Sequence, residues 1–161
     1  MSKTILVTGA TDGIGLLTAR KLAAAGHTVL LHGRSDAKLS AAAAEGGGDP
    51  KTYRADLSKM GDVDAMAEAV LADHGQLDVL INNAGILKAP HAETEAGRDI
   101  RFDVNTVAPY ILTHKLLPII PSGGRVVNLS SAAQAPVDVS AMESFRAMGD
   151  MDAYAQSKLA I

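Results

Sequence analysis

A tyrosine and a lysine near the end of the chain could together perform proton transfer. Tyr154 and Lys158 are four residues apart in a segment with a helical pattern that begins near Asp152, so their side chains are expected on one helix face. A phenol that exchanges protons near neutral pH needs its pKa of about 10 lowered by roughly 3 units, a free-energy change of about 4 kcal/mol. A neighbouring ammonium group would contribute to that change. An isolated pair of this kind is more often solvated surface, so the surrounding elements must decide between the two interpretations.

A glycine-rich turn near the N-terminus is typical of a site for a pyrophosphate group. Residues 4–7 form a short apolar run typical of a buried parallel strand, and residues 14–25 have helical apolar spacing. Glycine between them permits positive φ and close approach of a ligand to the backbone, and the following helix offers free N–H groups. The spacing G-x-x-x-G-x-G differs from the common dinucleotide fingerprint, so a turn that only packs helix against strand stays an alternative. The residues expected at this ligand site are Gly9, Thr11, Asp12, Gly13, Ile14 and Gly15.

Four further apolar runs predict strands, and amphipathic helices separate them. The predicted strands cover residues 28–32, 51–55, 77–81 and 125–130. The break at residues 46–50 is too short for a domain linker, and the chain has no internal repeat. This alternation predicts an α/β fold with a doubly wound parallel sheet of the Rossmann type, in a single domain of residues 1–161 that binds a dinucleotide and carries the catalytic groups.

Two strand ends carry side chains that could select and hold a nucleotide. Arg34 follows the second strand, where proteins that prefer NAD usually place an acid, and its guanidinium suits the 2′-phosphate of NADP. Asp36 is close enough to keep NAD as an alternative, and Arg34 could also be an exposed loop residue. Asp56 and Leu57 follow the third strand, where Asp56 could accept a hydrogen bond from an adenine amine or cap the next helix.

Small and polar residues follow the fourth and fifth strands. Asn82-Asn83-Ala84-Gly85 would let a nucleoside lie against the edge of the sheet, with asparagine amides joining the strand ends, although the tetrapeptide alone would be only a turn. Ser130 and Ser131 end the fifth strand. Because the carboxyl ends of parallel strands share one edge of a sheet, all these side chains are expected to line one site.

A long helical pattern between the fourth and fifth strands contains a proline. The pattern runs from Glu93 to Ile119, and Pro109 lacks the N–H that would bond to the carbonyl oxygen of Asn105. We expect a kink that leaves this carbonyl oxygen free to hold a water molecule. A core helix with an incidental proline is the alternative.

The composition argues against several classes of function. A hydrophobic content of 47% is ample for a buried core, and a formal net charge of −3 provides no basic surface for nucleic acid. The chain has no cysteine, and its five histidines lack metal-ligand spacing, so we expect no metal site. It shows no signal region and no apolar run long enough to cross a bilayer, which predicts a cytoplasmic protein without membrane contact.

In their order along the chain, these motifs resemble those of the short-chain dehydrogenase/reductase family. The resemblance covers essentially the whole chain and includes Thr8-Gly9-x-x-x-Gly13-x-Gly15, Asn82-Asn83-Ala84-Gly85, Asn105, Ser131 and Tyr154-x-x-x-Lys158. It implies an oxidoreductase that uses NADP, or alternatively NAD, to transfer a hydride between nicotinamide and a small-molecule carbonyl or alcohol. The full-length protein is expected to be a homo-oligomer.

The resemblance also implies a role for each site residue. Tyr154 would be the general acid in reduction and the base in oxidation, and Lys158 would lower the pKa of Tyr154 and bind the nicotinamide ribose. Ser131, rather than Ser130, would orient the substrate oxygen, and Asn105 would hold a water of the proton relay. The implied cofactor contacts are Gly9, Thr11, Asp12, Gly13, Ile14, Gly15, Arg34, Asp56, Leu57, Asn83, Ala84, Gly85, Tyr154 and Lys158.

The chain departs from the family pattern in two places. Ser131 and Tyr154 are 23 residues apart, a longer interval than usual and similar to members that resemble retinol dehydrogenases. The irregular residues 132–151 could form a lid with an adaptable methionine-rich wall or a disordered loop. The chain ends at Ile161 where relatives continue, so we expect truncation after the fifth strand. An inactive fragment, or a nucleotide-binding or interaction module without catalysis, is the alternative function.

Overall fold

Five parallel strands form the sheet in this computed structural model, which describes residues 2–46 and 50–161. The strands are β1 Thr4–Val7, β2 Thr28–Gly33, β3 Thr52–Arg54, β4 Val79–Asn82 and β5 Arg125–Asn128. Their order is β3-β2-β1-β4-β5, and every neighbouring pair is parallel. The strand order reverses between β1 and β4, so the carboxyl ends of these two strands mark the expected ligand crevice. The predicted doubly wound parallel sheet is confirmed.

Helices connect the strands and cover the sheet. They are α1 Gly13–Ala24, α2 Asp36–Gly46, α3 Met60–Asp73, α4 Ile100–Phe102, α5 Ala108–Leu116, α6 Val139–Glu143 and α7 Asp150–Leu159. A π-helical segment, Asp103–Val107, joins α4 to α5, and a 3-10 turn, Leu117–Ile119, follows α5. The predicted break at residues 46–50 begins where α2 ends, and residues 47–49 lie outside the described residues.

The alternation of side chains along β1 fills a core on each face of the sheet. Ile5 and Val7 pack in one buried cluster with Leu39 of α2, and Leu6 packs in a second cluster with Leu112 of α5. Each of these side chains is buried. Because helices cover both faces, β1 is an uninterrupted apolar run rather than an alternation of polar and apolar residues.

The helix before β5 begins later than the sequence pattern predicts. It starts at Ile100 rather than Glu93, because the carboxylate of Asp99 accepts a hydrogen bond from the Arg101 N–H at 2.9 Å and caps α4. Immediately before this cap, Glu93 and Asp99 form an antiparallel bridge, and Gly97 has a φ of +69°. The chain therefore turns over residues 94–98 before the helix begins.

Hydrogen bonds hold residues 132–151 against their neighbours. The Asp138 N–H donates to Oε1 of Gln156 on α7 at 2.9 Å, and the Phe145 N–H donates to the carbonyl oxygen of Gly97 at 2.6 Å. This segment also contains α6. The segment is therefore ordered rather than a disordered loop, and its role as a lid with a methionine-rich wall stays a prediction.

A buried arginine fastens α7 to α4. The Arg101 side chain is 1% exposed, and it donates from Nε and Nη2 to the Asp99 carboxylate at 2.8 and 2.5 Å. Its Nη1 donates at 2.5 Å to Asp150 in the first turn of α7. Since α7 carries Tyr154 and Lys158, this ion pair helps to set the orientation of both side chains.

Replacing Arg101 with Met is expected to lower the free energy of unfolding by about 3–5 kcal/mol, because the fully buried Asp99 carboxylate would lose its cation. Chemical denaturation of the purified protein measures this loss. Arg20→Met is the matched control, since its pair with Glu45 is half exposed and contributes at most about 1 kcal/mol. Equal losses in the two variants would contradict the anchoring role.

Candidate active site

The glycine-rich turn after β1 has the backbone conformation that glycine permits. Gly9 has a φ of +65° and Gly13 a φ of +50°. A Cβ atom on Gly15 would overlap the carbonyl oxygen of Gly9 and the side-chain amide of Asn83. The Asp12 carboxylate caps α1 by accepting from the Gly13 N–H at 2.8 Å, and no acidic residue lies in the first turn that follows, so the main-chain N–H groups after Gly13 remain for an anion. This turn can therefore receive an anionic group.

Hydrogen bonds join the turn after β1 to the turn after β4. Nδ2 of Asn83 donates to the carbonyl oxygens of Thr8 and Gly9 at 2.8 and 3.3 Å. The Thr8 hydroxyl accepts from the main-chain N–H groups of Asn83 and Ala84, each at 3.0 Å. Since strand order reverses between β1 and β4, these contacts hold both sides of the crevice together.

His32 joins the turn after β1 to the end of β3. Its side chain is buried at the end of β2, where Nδ1 accepts from the Gly9 N–H at 3.0 Å and Nε2 lies 3.1 Å from the Ala55 carbonyl oxygen. Burial is the main cause that lowers the pKa of His32 to about 4, and the nearby positive charge of Arg34 lowers it further. The hydrogen bond to the Ala55 carbonyl oxygen and the negative charge of Asp56 act in the opposite direction but are weaker. The imidazole is therefore neutral near pH 7.

The buried histidine predicts acid sensitivity. We expect the contribution of His32 to the free energy of unfolding to fall by about 3 kcal/mol as the pH decreases from 6.5 to 4, because the unfolded chain binds a proton that folded His32 excludes. Denaturation curves at several pH values measure this dependence. His32→Asn should reduce the slope over this pH range, because asparagine has no group that titrates there. An unaltered slope in His32→Asn would contradict the assignment.

The ends of β1, β2, β3 and β4 together line one groove of about 690 Å³ at the carboxyl edge of the sheet, which we call the nucleotide groove. This volume is within the range of small-molecule and cofactor sites. Ser130 and Ser131, which follow β5, were expected at the same site but are not among the residues that line this groove. The predicted nucleotide contacts from the first four strand ends all line it: Gly9, Thr11, Asp12, Gly13, Ile14, Gly15, Arg34, Asp56, Leu57, Asn83, Ala84 and Gly85.

One part of the nucleotide groove is lined by cationic and hydroxyl side chains. Arg34, Ser35 and Lys38 all line it, whereas Asp36 pairs with Arg54 at 3.5 Å. Asp36, the acid that left NAD as an alternative cofactor, is thus paired with Arg54, and neither residue lines the groove. These side chains could hold a phosphate monoester.

Asp56 lines the same groove and also caps a turn. Its Oδ1 accepts from the main-chain N–H and the hydroxyl of Ser58 at 3.0 and 2.8 Å. Burial acts to raise the pKa of Asp56, but the Ser58 hydrogen bonds, Arg34 and Lys59 lower it overall. Asp56 is therefore an ionised carboxylate near pH 7, and it could still accept a hydrogen bond from a ligand amine.

Lys158 lies beside the nucleotide groove. It is buried on α7, and its Nζ donates to the Leu129 carbonyl oxygen at 2.7 Å. A Cβ atom on Gly85 would lie 3.1 Å from this Nζ and 3.3 Å from Oδ1 of Asn105, so the three residues converge. Burial lowers the pKa of Lys158. An ammonium group with little water around it therefore faces the last glycine of the groove.

The Asn105 side chain is fully buried and hydrogen-bonded. Its Oδ1 accepts from the Ile86 N–H at 2.8 Å, and its Nδ2 donates to the Ile86 carbonyl oxygen and the Ser157 hydroxyl at 3.0 and 2.9 Å. The residue lies in the π-helical segment just before Pro109. Because Pro109 has no N–H to donate, the chain makes a π turn at the position where the sequence predicts a kink.

The two serines after β5 have different contacts. The Ser130 hydroxyl donates to the Lys158 carbonyl oxygen at 2.7 Å, so it fastens α7 to β5. The Ser131 hydroxyl accepts from the Ala133 N–H at 3.1 Å. Tyr154 is half-buried one turn before Lys158, and no hydrogen bond joins it to Ser131 among the described residues. The structure brings Lys158, Asn105 and Gly85 together, whereas Ser131 and Tyr154 are not hydrogen-bonded to each other in the described part of the chain.

Sequence reasoning missed the residues that position the site. His32 and Arg101 were not identified as site supports, and neither was Ser157, which links Asn105 to the Tyr154 carbonyl oxygen. His32 could have been found from its position, because an ionisable residue inside a predicted buried strand indicates a specific hydrogen-bond partner. For Arg101, nothing in the local pattern indicated a partner on α7.

The described residues contain neither a metal-binding cluster nor a helix that could span a membrane. Residues 2–46 and 50–161 contain no cluster of His, Asp or Glu side chains suited to a metal ion. In the same residues, no helix has the length and apolar character needed to cross a membrane.

Comparisons with known proteins agree with this architecture. Residues 3–161 match the family model for short chain dehydrogenases. The chain is 35% identical to human retinol dehydrogenase 13 over 99% of its own length and 51% of that protein. It therefore spans about half the length of the curated relatives it matches.

Solved structures show the same fold. A protein from Mycobacterium paratuberculosis is 36% identical with a TM-score of 0.85, covering 98% of this chain and 57% of that one. A metagenomic short-chain oxidoreductase in complex with NADP is 36% identical with a TM-score of 0.78, covering 99% of this chain and 72% of that one. The parallel sheet and its flanking helices define a Rossmann-type fold. The chain belongs to the short-chain dehydrogenase family of oxidoreductases.

Proposed function

We propose that the full-length protein is an NADP-dependent oxidoreductase that transfers a hydride between nicotinamide and a carbonyl or alcohol substrate. The observation that carries this proposal is the position of Lys158, whose ammonium group lies beside Gly85 of the nucleotide groove and on the same helix as Tyr154. A nucleotide that follows the groove from the glycine-rich turn would bring its far end to this ammonium group.

The residues of the groove suit a dinucleotide. At Gly9, Gly15 and Gly85 an added Cβ would contact or overlap neighbouring atoms, so glycine keeps the turns of the groove closely packed. The main-chain N–H groups at the start of α1 would bind the pyrophosphate. Lys158 would donate to the nicotinamide ribose. When bound, the dinucleotide supplies or accepts the hydride.

Proton transfer would belong to Tyr154. In reduction its hydroxyl would protonate the substrate oxygen, and in oxidation the phenolate would remove the proton, stabilised by the Lys158 ammonium group. Ser131 would donate a hydrogen bond that orients the substrate oxygen. Because the Asn105 side chain is already bonded to Ile86 and Ser157, its main-chain carbonyl oxygen would hold the relay water.

NADP is the proposed cofactor because of the charge around Arg34. Arg34→Ala should weaken NADPH binding by about 10- to 100-fold and leave NADH binding nearly unchanged, since a hydrogen bond to a charged group contributes about 1.5–3 kcal/mol. Fluorescence titration of the full-length protein with each dinucleotide measures both affinities. Arg125→Ala, an exposed arginine at the start of β5, is the control. Equal weakening of NADPH and NADH by Arg34→Ala would contradict NADP selection.

The proposed substrate is a small or lipophilic carbonyl compound or alcohol. Human retinol dehydrogenase 13 carries the name of a lipophilic alcohol. Residues 132–151 of this chain include Met142, Met148 and Met151, whose flexible apolar side chains could adapt to such a ligand. A cytoplasmic location and assembly into a homo-oligomer stay predictions for the full-length protein.

The test of this function is turnover. The full-length protein with NADPH and a panel of aliphatic and aromatic aldehydes and ketones should consume NADPH, which is followed by loss of its absorbance. Dinucleotide binding without consumption across the whole panel, and without oxidation of the corresponding alcohols, would instead support a binding module without catalysis.

A further inference from the structure

We propose that His32 is a positioning residue for dinucleotide binding, acting by holding the glycine-rich turn through Gly9; this inference rests on the proposed function. His32 lies in β2 between apolar neighbours, with its side chain 2% exposed. Its ring accepts from the Gly9 N–H, and its own carbonyl oxygen accepts from the Ala10 N–H at 2.8 Å. Two consecutive N–H groups of the turn are therefore bonded to one residue of the neighbouring strand.

The hydrogen-bond partners select one form of the imidazole. The Ala55 carbonyl oxygen can only accept, so Nε2 carries the hydrogen, and Nδ1 is left as the acceptor for Gly9. A protonated ring would place an N–H against the Gly9 N–H. The charged side chains that act on the ring are Arg34 and Asp56, and both line the nucleotide groove.

This arrangement determines which N–H groups face a ligand. Those of Gly9 and Ala10 point toward His32, whereas the first main-chain bond of α1 runs from the Leu16 N–H to the Asp12 carbonyl oxygen. The N–H groups of Ile14 and Gly15 precede that bond and can bind a pyrophosphate. If the His32 ring were lost, the turn could rotate at Gly9, and the ligand would have to restore its conformation.

Three variants separate the two ring contacts. His32→Ala removes both, His32→Asn keeps an acceptor near the Nδ1 position, and His32→Gln keeps a donor that can reach Ala55. We expect NADPH affinity to fall about tenfold or more in His32→Ala and His32→Gln and to be largely retained in His32→Asn. At saturating NADPH, kcat should change little in all three. Val70→Ala, a fully buried core position in α3, is the control for lost stability and should retain NADPH affinity.

Amide hydrogen exchange provides a readout that needs no ligand. The Gly9 N–H should exchange faster in His32→Ala and His32→Gln than in the unaltered protein, but not in His32→Asn. If His32→Ala does not fold, the comparison of His32→Asn with His32→Gln still tests whether the acceptor at the Nδ1 position holds the turn. Equal NADPH affinity and equal Gly9 exchange in these two variants would overturn the inference.

The same experiments distinguish failure of the inference from failure of the proposed function. If the unaltered protein binds NADPH but consumes none in the carbonyl assay, the proposed function is contradicted. The NADPH affinities of the His32 variants still test the positioning role in that case. If the unaltered protein does not bind NADPH, the proposed function is also contradicted, and the rate of Gly9 exchange then shows whether His32 holds the turn. In that case, slow Gly9 exchange in the unaltered protein and in His32→Asn, with faster exchange in His32→Ala and His32→Gln, would support the hydrogen bond between His32 and the turn. The same result would overturn the proposed link between that bond and dinucleotide binding.

Discussion

Replacing Tyr154 with Phe in the full-length protein is expected to reduce kcat by about 100- to 10,000-fold, the usual contribution of a positioned general acid or base. The substitution removes only the phenolic oxygen, so the helix and the position of Lys158 should be retained. NADPH affinity should be nearly unchanged, because the nucleotide groove is lined by other residues. Steady-state kinetics with a carbonyl substrate, together with an NADPH titration, measures both quantities.

Tyr53→Phe is the matched control for Tyr154→Phe. The Tyr53 hydroxyl donates to Asp73 at 3.0 Å and lies 2.9 Å from Nε2 of His74, and Tyr53 does not line the nucleotide groove. Its loss should lower stability slightly and leave kcat unchanged. Turnover retained in Tyr154→Phe would refute the proposed acid, and turnover lost equally in both variants would indicate general damage to the fold.

The second large effect is expected from Gly15→Ala. An added Cβ would overlap the Gly9 carbonyl oxygen and the Asn83 amide, so the turn must move and the contact between β1 and β4 would be disturbed. We expect NADPH binding to be lost and the free energy of unfolding to fall by about 3 kcal/mol or more. Dinucleotide titration and denaturation of the same preparation measure the two effects.

Gly61→Ala tests whether the effect belongs to the site or to glycine replacement in general. Gly61 also lies near the start of a helix, but a Cβ there would meet nothing within 4 Å. Because alanine favours helix, a gain of up to about 1 kcal/mol is expected, with NADPH affinity unchanged. If Gly15→Ala behaved like Gly61→Ala, the close packing of the turn would not be required for binding.

The parts of the fold that depend on local pattern could be predicted from sequence. The apolar run before Gly9 and the helical spacing after Gly15 identified β1 and α1, and the alternation of strands and helices predicted the parallel sheet. In a parallel sheet the strand ends share one edge, so the assembly of the nucleotide groove from distant residues also followed from the pattern.

The supports of the site depend on partners that local pattern does not indicate. His32 bonds to Gly9 and Ala55, each 23 residues away, and Arg101 bonds to Asp150, 49 residues away. The predicted helix start at Glu93 was wrong, because the turn at Gly97 and the capping carboxylate of Asp99 delay the helix to Ile100 within a sequence pattern that is typical of helix throughout. Such contacts form only when the sheet and α7 have assembled.

The central claim is that the nucleotide groove and the proton donor act on one substrate. A crystal structure of the full-length protein with NADP bound tests it most directly, through the distance from nicotinamide C4 to the Tyr154 hydroxyl oxygen. We predict that the nicotinamide ribose contacts Lys158 and that a single carbonyl group could bridge C4 and that hydroxyl. A nicotinamide that leaves the groove away from Gly85, or lies farther from Tyr154 than one substrate group can span, would contradict the account.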